Sequence, residues 1–347
     1  MNDHETTAYL VEQAKAVLAI DSPTGFTKDA ATYVLAEYRR LGYEPQLTAK
    51  GGVLVCVNEG ESAGDAILLE AHLDTLGGMV AEITAEGRLR LTPLGGMNPN
   101  NGEAENVRVV TRAGKRYSGT CQLKNASIHV NGEYSSAKRD WDATMEVVLD
   151  EMVSTRDDVL ALGVLPGDIV CFDPRTVVTE SGYIKSRFLD DKLSVAILLA
   201  EAKDLAQGRA AARRRIYHHI TVFEEVGHGA SATVPAGVTE VLSVDMGCVG
   251  DGLACKEHQV SICAKDSGGP YHYDVVSGLI EAARRAQVDF AVDVYPHYGS
   301  DAEAALKAGW DVRHGLIGAG VYASHGYERS HVLGAENTLR LLEEYLK

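Results

Sequence analysis

The sequence predicts an α/β fold, in which a mostly parallel sheet is flanked by helices on both faces and carries an inserted small β-barrel-like domain. From about residue 176 onward, apolar strand-like runs occur near 216–223, 241–244, 259–264, 290–294 and 312–317. They alternate with helical periodicity near 192–207, 272–286, 301–308 and 335–346. Such alternation is typical of a parallel sheet with helices on both faces.

The N-terminal segment supplies the first elements of this domain. Residues 4 to about 75 predict two helices followed by two strands. Thr27 is expected to cap the second helix and Gly42 to end it, since small polar residues favour helix starts and glycine favours helix ends.

The stretch between these two parts has a different composition. Residues 77–175 are rich in Gly, Asn and Thr, with short alternating runs at 79–83 and 127–130 and turn pairs at 95–96, 101–102, 131–132 and 166–167. Short alternating runs separated by turns predict β structure. We therefore expect a main domain formed by residues 1–76 and 176–347, interrupted by a β domain at 77–175.

Composition limits the class of protein. The formal net charge of −16 over 347 residues argues against a nucleic-acid partner, which requires basic surface. The six cysteines show no CxxC spacing, which favours free thiols in a reducing compartment. No apolar stretch approaches the roughly 18 residues of a membrane span, and residues 1–5 lack the pattern of a signal peptide. We therefore expect a cytoplasmic protein with no membrane partner.

Two adjacent carboxylates, Glu224 and Glu225, are the strongest functional signal. They follow the apolar run at 216–223, and open α/β sheets place ligands where such strands end. One carboxylate could bind a metal while the other stays free as a base. A solvated acidic turn would be the better explanation of the pair if it stood alone.

Acidic or imidazole side chains also follow other strand-like runs. His72 and Asp74 lie on one side of an extended segment, where the carboxylate could orient the imidazole. Asp190 and Asp191 precede a helix, and two aspartates exceed what a helix cap requires. Asp245 follows another run and is weak evidence by itself, because Asp and Gly commonly form turns.

The histidines divide into candidates and structural residues. Near the C-terminus, either His325 or His331 could bind a metal. His228 is a candidate for the substrate site, whereas His218 and His219 lie inside a strand and are expected to be structural. The whole set offers oxygen and nitrogen ligands without thiolate, which suits zinc, cobalt or manganese, and a shared carboxylate would make the centre dinuclear.

The order of these clusters resembles the glutamyl and deblocking aminopeptidase family of dinuclear metallopeptidases, relatives of the tetrahedral aminopeptidases. The resemblance covers nearly the whole chain and rests on EAHLD at 70–74, FLDDK at 188–192, FEEVG at 223–227, VD at 244–245, GSDA at 299–302 and SH at 324–325.

The resemblance implies an aminopeptidase that acts on small peptides through two divalent metal ions, zinc in the first place and cobalt or manganese otherwise. His72 and Asp245 would hold one ion and Glu225 and His325 the other, with Asp190 as the bridge. Glu224 would be the general base and Asp74 would orient His72.

The resemblance has structural implications as well. It predicts a cis peptide bond between Asp190 and Asp191, as in related dinuclear peptidases. The inserted domain would mediate association into a homo-oligomer, which could be a dodecamer.

The chain also departs from the common family pattern, and the departures bear on the substrate. Thr75 stands where the family usually has Glu, and residues 320–324 replace a usual Pro-x-Arg-Tyr stretch. The continuation at 326–331 resembles a subfamily associated with gene cassettes for an N-acetylglutaminylglutamine amide osmoprotectant. Two alternatives remain open: a deacylase or amidohydrolase of small N-acyl amino acids or dipeptides, and a metal-binding assembly protein without catalysis.

Overall fold

The computed structural model describes residues 3–61 and 64–347. The chain forms two compact units, one made of Met1–Asp74 with Arg175–Lys347 and the other of Thr75–Pro174. We refer to them as the α/β unit and the barrel unit.

The α/β unit begins with two helices and three strands: α1 (Asp3–Leu18), α2 (Lys28–Arg40), β1 (Gln46–Leu47), β2 (Val53–Asn58) and β3 (Ala66–His72). The end of α2 agrees with the prediction, because Gly42 follows with a φ of 98°. The cap prediction was wrong in its chemistry. Thr27 occupies the N-cap position, but its backbone is helical and its side chain makes no capping hydrogen bond.

The barrel unit is an antiparallel structure with one short helix: β4 (Gly77–Ile83), β5 (Leu89–Leu94), β6 (Glu105–Val110), β7 (Arg116–Leu123), β8 (Met145–Leu149), α3 (Arg156–Leu162) and β9 (Ile169–Phe172). The strands close in the order β4-β5-β8-β7-β6-β9, and β9 pairs with both β4 and β6. Closure leaves no free sheet edge among them.

One predicted strand of the barrel unit is not formed. Residues 127–130 make a turn, in which the backbone N–H groups of Val130 and Asn131 donate to the carbonyl of Ser127. Ile128 and Val130 are 62% and 72% exposed, so the alternation of apolar residues here does not mark a face packed inside the unit.

The second part of the α/β unit contains the remaining elements: β10 (Val177–Val178), β11 (Tyr183–Ser186), α4 (Leu189–Ala206), β12 (Ile216–Thr221), β13 (Val238–Val244), β14 (Gly247–Val249), β15 (Val260–Lys265), α5 (Tyr273–Ala286), β16 (Phe290–Val294), α6 (Asp301–Lys307), β17 (Arg313–Tyr322), β18 (Glu328–His331) and α7 (Val332–Tyr345). A short 3₁₀ turn, Glu224–Val226, follows β12.

The sheet of this unit is parallel at its centre and antiparallel towards its edges. Strands β12, β3, β13 and β17 are neighbours and run parallel, while β2, β15 and β18 join by antiparallel pairing. Every residue of β3 is buried, as expected for a strand covered on both faces. The four central strands end at the same edge, so the segments that follow them can meet there.

Within the described ranges, no helix is long and apolar enough to cross a membrane.

Candidate metal centre

Five side chains converge at the carboxyl edge of the central strands, in two groups that share Asp190. In one group, ligand atoms of His72, Asp190 and Asp245 lie within 4.8 Å of one another. In the other, ligand atoms of Asp190, Glu225 and His325 do the same. The fold brings them together because His72 ends β3, Asp245 follows β13, Asp190 lies at the start of α4, Glu225 follows β12, and His325 lies in the turn between β17 and β18.

The two oxygens of Asp190 face different histidines. His72 Nε2 lies 3.0 Å from Asp190 Oδ1, and His325 Nε2 lies 3.5 Å from Asp190 Oδ2. His325 Nε2 is also 3.6 Å from Glu225 Oε2. A carboxylate between two such groups can serve both.

Asp74 makes a different set of contacts from the set that the sequence suggests. His72 Nδ1 bonds to the backbone carbonyl of Asp74 at 2.9 Å, while the nearest carboxylate oxygen of Asp74 is 3.7 Å away. The carboxylate instead accepts from Thr24 Oγ1 at 2.7 Å and from the N–H groups of Glu224 and Glu225 at 3.1 and 3.4 Å. Asp74 therefore fixes the imidazole through its backbone and the Glu pair through its side chain.

The backbone around the candidate ligands is unusual. The Asp190–Asp191 peptide bond is cis, which confirms the prediction. Asp191 is fully buried and accepts from the backbone N–H of His72 at 3.0 Å. Positive φ angles, uncommon outside glycine, occur beside or at the candidate ligands, at Phe188, Phe223, Ala323 and His325. Residues in such conformations cluster at functional sites.

The electrostatics of the cluster favour a bound cation. Burial, followed by the charge of Asp190, raises the pKa of Asp245 to about 7. Burial and neighbouring carboxylates likewise raise the pKa values of Glu224 and Glu225 well above their usual range. Divalent cations among these oxygen and nitrogen donors would stabilise the ionised carboxylates, so the residues present fit divalent metal ions.

Glu224 lies beside the two groups without belonging to either. Its Oε2 is 3.6 Å from His72 Nε2, and it lines a cleft of about 540 Å³. The same cleft is lined by Asp190, Glu225, Asp245 and His325, and its further walls include Met246, Cys248, Tyr298, Glu303 and Lys307. A substrate in this cleft would contact Glu224 and the candidate ligands together.

The other candidate histidines lie elsewhere. His228 is exposed, stacks on Phe223 with a ring-centroid distance of 5.3 Å, and does not line the cleft. His331 accepts from the backbone N–H of Leu333. His218 and His219 are buried against Glu201 and Glu70, respectively, which agrees with their structural interpretation.

Two residues without a role assigned from the sequence, Asp301 and Lys50, hold the segment that carries the Glu pair. Asp301, buried at the start of α6, accepts from Thr221 Oγ1 and, at 2.7 Å, from the N–H of Ala230. Lys50 Nζ donates to the carbonyls of His228 and Gly229. The sequence signal at Asp301 is that of an acidic first turn of a helix, which does not reveal this contact.

Comparisons with known proteins agree with this architecture. The chain is 41% identical over 337 residues to YhfE of Bacillus subtilis (strain 168), covering 97% of both chains. It is 26% identical over 199 residues to the glutamyl aminopeptidase of Lactococcus lactis subsp. cremoris, covering 57% of this chain and 55% of the relative.

Solved structures share the fold. An aminopeptidase from the archaeon Desulfurococcus kamchatkensis superposes with a TM-score of 0.87 at 22% identity, covering 98% of this chain and 95% of that one. The TET1 peptidase of Pyrococcus horikoshii gives 0.85 at 22% identity, covering 97% and 99%.

The profile of the M42 glutamyl aminopeptidase family matches residues 51–341. This match covers the whole barrel unit and portions of both parts of the α/β unit, and it includes every candidate metal ligand. Together with the near-complete alignment to YhfE, it identifies the chain as a member of the M42 glutamyl aminopeptidase family, the metal-dependent hydrolases that act as aminopeptidases.

Proposed function

We propose that the protein releases N-terminal residues from short peptides at a dinuclear metal centre. His72 and Asp245 would hold one ion, Glu225 and His325 the other, and Asp190 both. The observation that carries this proposal is that Asp190 belongs to both ligand groups and turns one oxygen towards each histidine. Zinc, cobalt or manganese would suit the donor set.

The chain's own residues supply the proton chemistry. When bound, the two cations would acidify the attacking water and polarise the scissile carbonyl. Glu224 lines the cleft and lies outside both ligand groups, so it is placed to accept a proton from that water. It would then return this proton to the leaving amine as general acid.

Asp74 and Asp301 would keep Glu224 in place during these steps. Asp74 bonds to the N–H groups of Glu224 and Glu225, and Asp301 contacts the segment on either side of them. A base held in this way needs little reorganisation before proton transfer.

We further propose that the protein works as a cytoplasmic homo-oligomer. The solved TET1 peptidase of Pyrococcus horikoshii is described as assembling into a tetrahedron or a large octahedral shell, and a related structure is described as a dodecamer. In this proposal the barrel unit mediates the association, and the same twelve-subunit form is one candidate.

The proposed role of Glu224 is tested by Glu224→Gln. Gln can hydrogen-bond water but cannot take its proton, so we expect hydrolysis of aminoacyl anilides to fall by about 10²–10⁴-fold or more. Metal content, measured by elemental analysis, should match that of the wild type. Glu44→Gln, at an exposed position, is the matched control.

Turnover in Glu224→Gln equal to that of Glu44→Gln would remove Glu224 from the mechanism. A panel of N-acyl amino acids beside the aminoacyl anilides tests the bond itself. Faster hydrolysis of the N-acyl compounds by the wild type would replace the aminopeptidase proposal with a deacylase.

A further inference from the structure

Glu328 is a buried carboxylate that the mechanism above does not use. It begins β18 and is 2% exposed. Its Oε2 accepts from the backbone N–H of Asp190 at 3.0 Å, and its Oε1 accepts from the backbone N–H of His325 at 3.0 Å. One side chain thus contacts the backbones of two candidate metal ligands.

The pairing of the strands explains how Glu328 reaches both. Strand β18 pairs with β11 in antiparallel register, with Glu328 opposite Ser186, so Glu328 lies beside the chain as it enters the start of α4. The turn that carries His325 leads directly into β18. Arg187, also buried, donates from Nη1 to the carbonyl of Gly326 in the same turn at 3.3 Å.

The geometry excludes a simpler role for Glu328 as a sixth ligand. Both of its oxygens are directed at backbone N–H groups, and it belongs to neither of the two ligand groups formed by the described residues. Hydrogen bonds from backbone N–H groups to a carboxylate are stronger than those between neutral groups, and they fix direction as well as distance.

We propose that Glu328 is a positioning residue that sets the spacing between Asp190 and His325. One of its oxygens bonds to the backbone of Asp190, which belongs to both ligand groups. The other bonds to the backbone of His325, which belongs to one group. The inference rests on the proposed dinuclear centre. In it, Glu328 keeps Asp190, Glu225 and His325 in the arrangement that binds one ion. Residues that orient metal ligands commonly affect metal affinity by 10–100-fold.

The variant Glu328→Gln preserves size but keeps one acceptor oxygen in place of two, so one backbone N–H would face an amide N–H. We expect the affinity of the protein for the more weakly bound Zn²⁺ ion to fall by about 10–100-fold. Competition with a chromophoric chelator measures this affinity. We also expect kcat to fall with KM nearly unchanged, because the substrate contacts remain.

Glu240→Gln is the matched control. Glu240 is also 2% exposed and hydrogen-bonded, but it lies at the start of β13, at the opposite edge of the sheet from Asp245. A merely structural role would give both variants the same loss of melting temperature and no loss of Zn²⁺ affinity. Reduced Zn²⁺ retention in Glu328→Gln but not in Glu240→Gln supports the proposal.

Wild-type Zn²⁺ retention in a folded Glu328→Gln protein would overturn the proposal. Failure of the Glu328 proposal can be distinguished from failure of the proposed function. Chelator competition reports on the ligands without any substrate, whereas an active Glu224→Gln enzyme would refute the mechanism and leave the Glu328 result unaffected.

Discussion

Of the five candidate ligands, Asp190 alone belongs to both groups, and this determines what its removal should do. Without its carboxylate, each group keeps two ligands, and two cations would be poorly shielded from each other. We therefore expect Asp190→Ala to lose both ions. His72→Ala and His325→Ala should each lose mainly the one ion that the missing histidine would bind. Elemental analysis of the three purified variants measures this.

Equal metal loss in the three variants would contradict a shared role for Asp190. Circular dichroism of each metal-free variant serves as the control for folding. This control is needed because Asp190→Ala removes a buried charge, whereas each histidine variant removes a ring.

Away from the metal centre, Glu343 predicts a dependence of stability on pH. Burial, together with the charge of Asp204, raises the pKa of Glu343 from its usual 4.5 to about 8. The folded state therefore holds this proton more tightly than the unfolded state. The resulting stability is fully present below pH 4.5 and is lost as the pH rises through about 8.

Glu343→Gln keeps a neutral side chain at every pH, so its stability relative to the wild type should be greater at pH 9 than at pH 5, by up to about 4 kcal/mol. Urea unfolding at pH 5 and pH 9 measures the difference. An identical pH dependence in wild type and variant would show that Glu343 is ionised in the folded protein at neutral pH.

At the level of residues, the sequence can predict ligand types better than their supports. His72, Asp190, Glu225 and Asp245 follow apolar runs, and that local pattern is visible in the chain. The contacts of Glu328 with Asp190 and His325 depend on the register of β18 with β11, which no local pattern encodes. The bond from His72 to the backbone carbonyl of Asp74 was also not foreseen, because residue types alone do not show whether the carbonyl or the carboxylate of Asp74 faces the imidazole.

Among the elements, the segment between β12 and Ala230 is closely packed near the site. Gly229 lies against Asp301, and a Cβ on Gly229 would be 2.4 Å from Asp301 Oδ1. Gly229→Ala must therefore displace the segment that carries Glu224. We expect kcat to fall by about 10²-fold, as for misplacement of a catalytic group by about 1 Å.

Gly250→Ala is the control for this change, because a Cβ on Gly250 would have no neighbour within 4 Å. Both variants should remain folded by circular dichroism. Equal kcat values for the two variants would show that the segment can shift without moving the base.

Elements with a periodic apolar pattern and a buried face could be predicted from the sequence. A segment with such a pattern but without a buried face could not. Helix α5 and strand β16 lie within a residue of their predicted bounds. Residues 127–130 have strand-like alternation but form an exposed turn, since no sheet within the barrel unit takes up Ile128 and Val130. The antiparallel edges of the large sheet were also not foreseen, because alternating strands and helices reveal connections rather than strand order.

For the whole molecule, the proposed assembly makes the exposed apolar side chains informative. Ile128 and Val130 of the barrel unit are 62% and 72% exposed, while Val292 and Val294, on strand β16 of the α/β unit, are 40% and 56% exposed. Apolar side chains exposed together on a single chain often mark surfaces that associate. If the barrel unit forms the interface, we expect a second copy to cover Ile128 and Val130.

We therefore expect the wild-type protein to sediment as a species heavier than a single chain, and the double variant Ile128→Asp/Val130→Asp to sediment as a smaller one. Two carboxylates in a desolvated interface are unfavourable, whereas on a free surface they are tolerated. The control is Val292→Asp/Val294→Asp, which places the same charges on the α/β unit. Dissociation of the control with an intact assembly in the first variant would place the interface on the α/β unit, because the charges act only where a second copy excludes water.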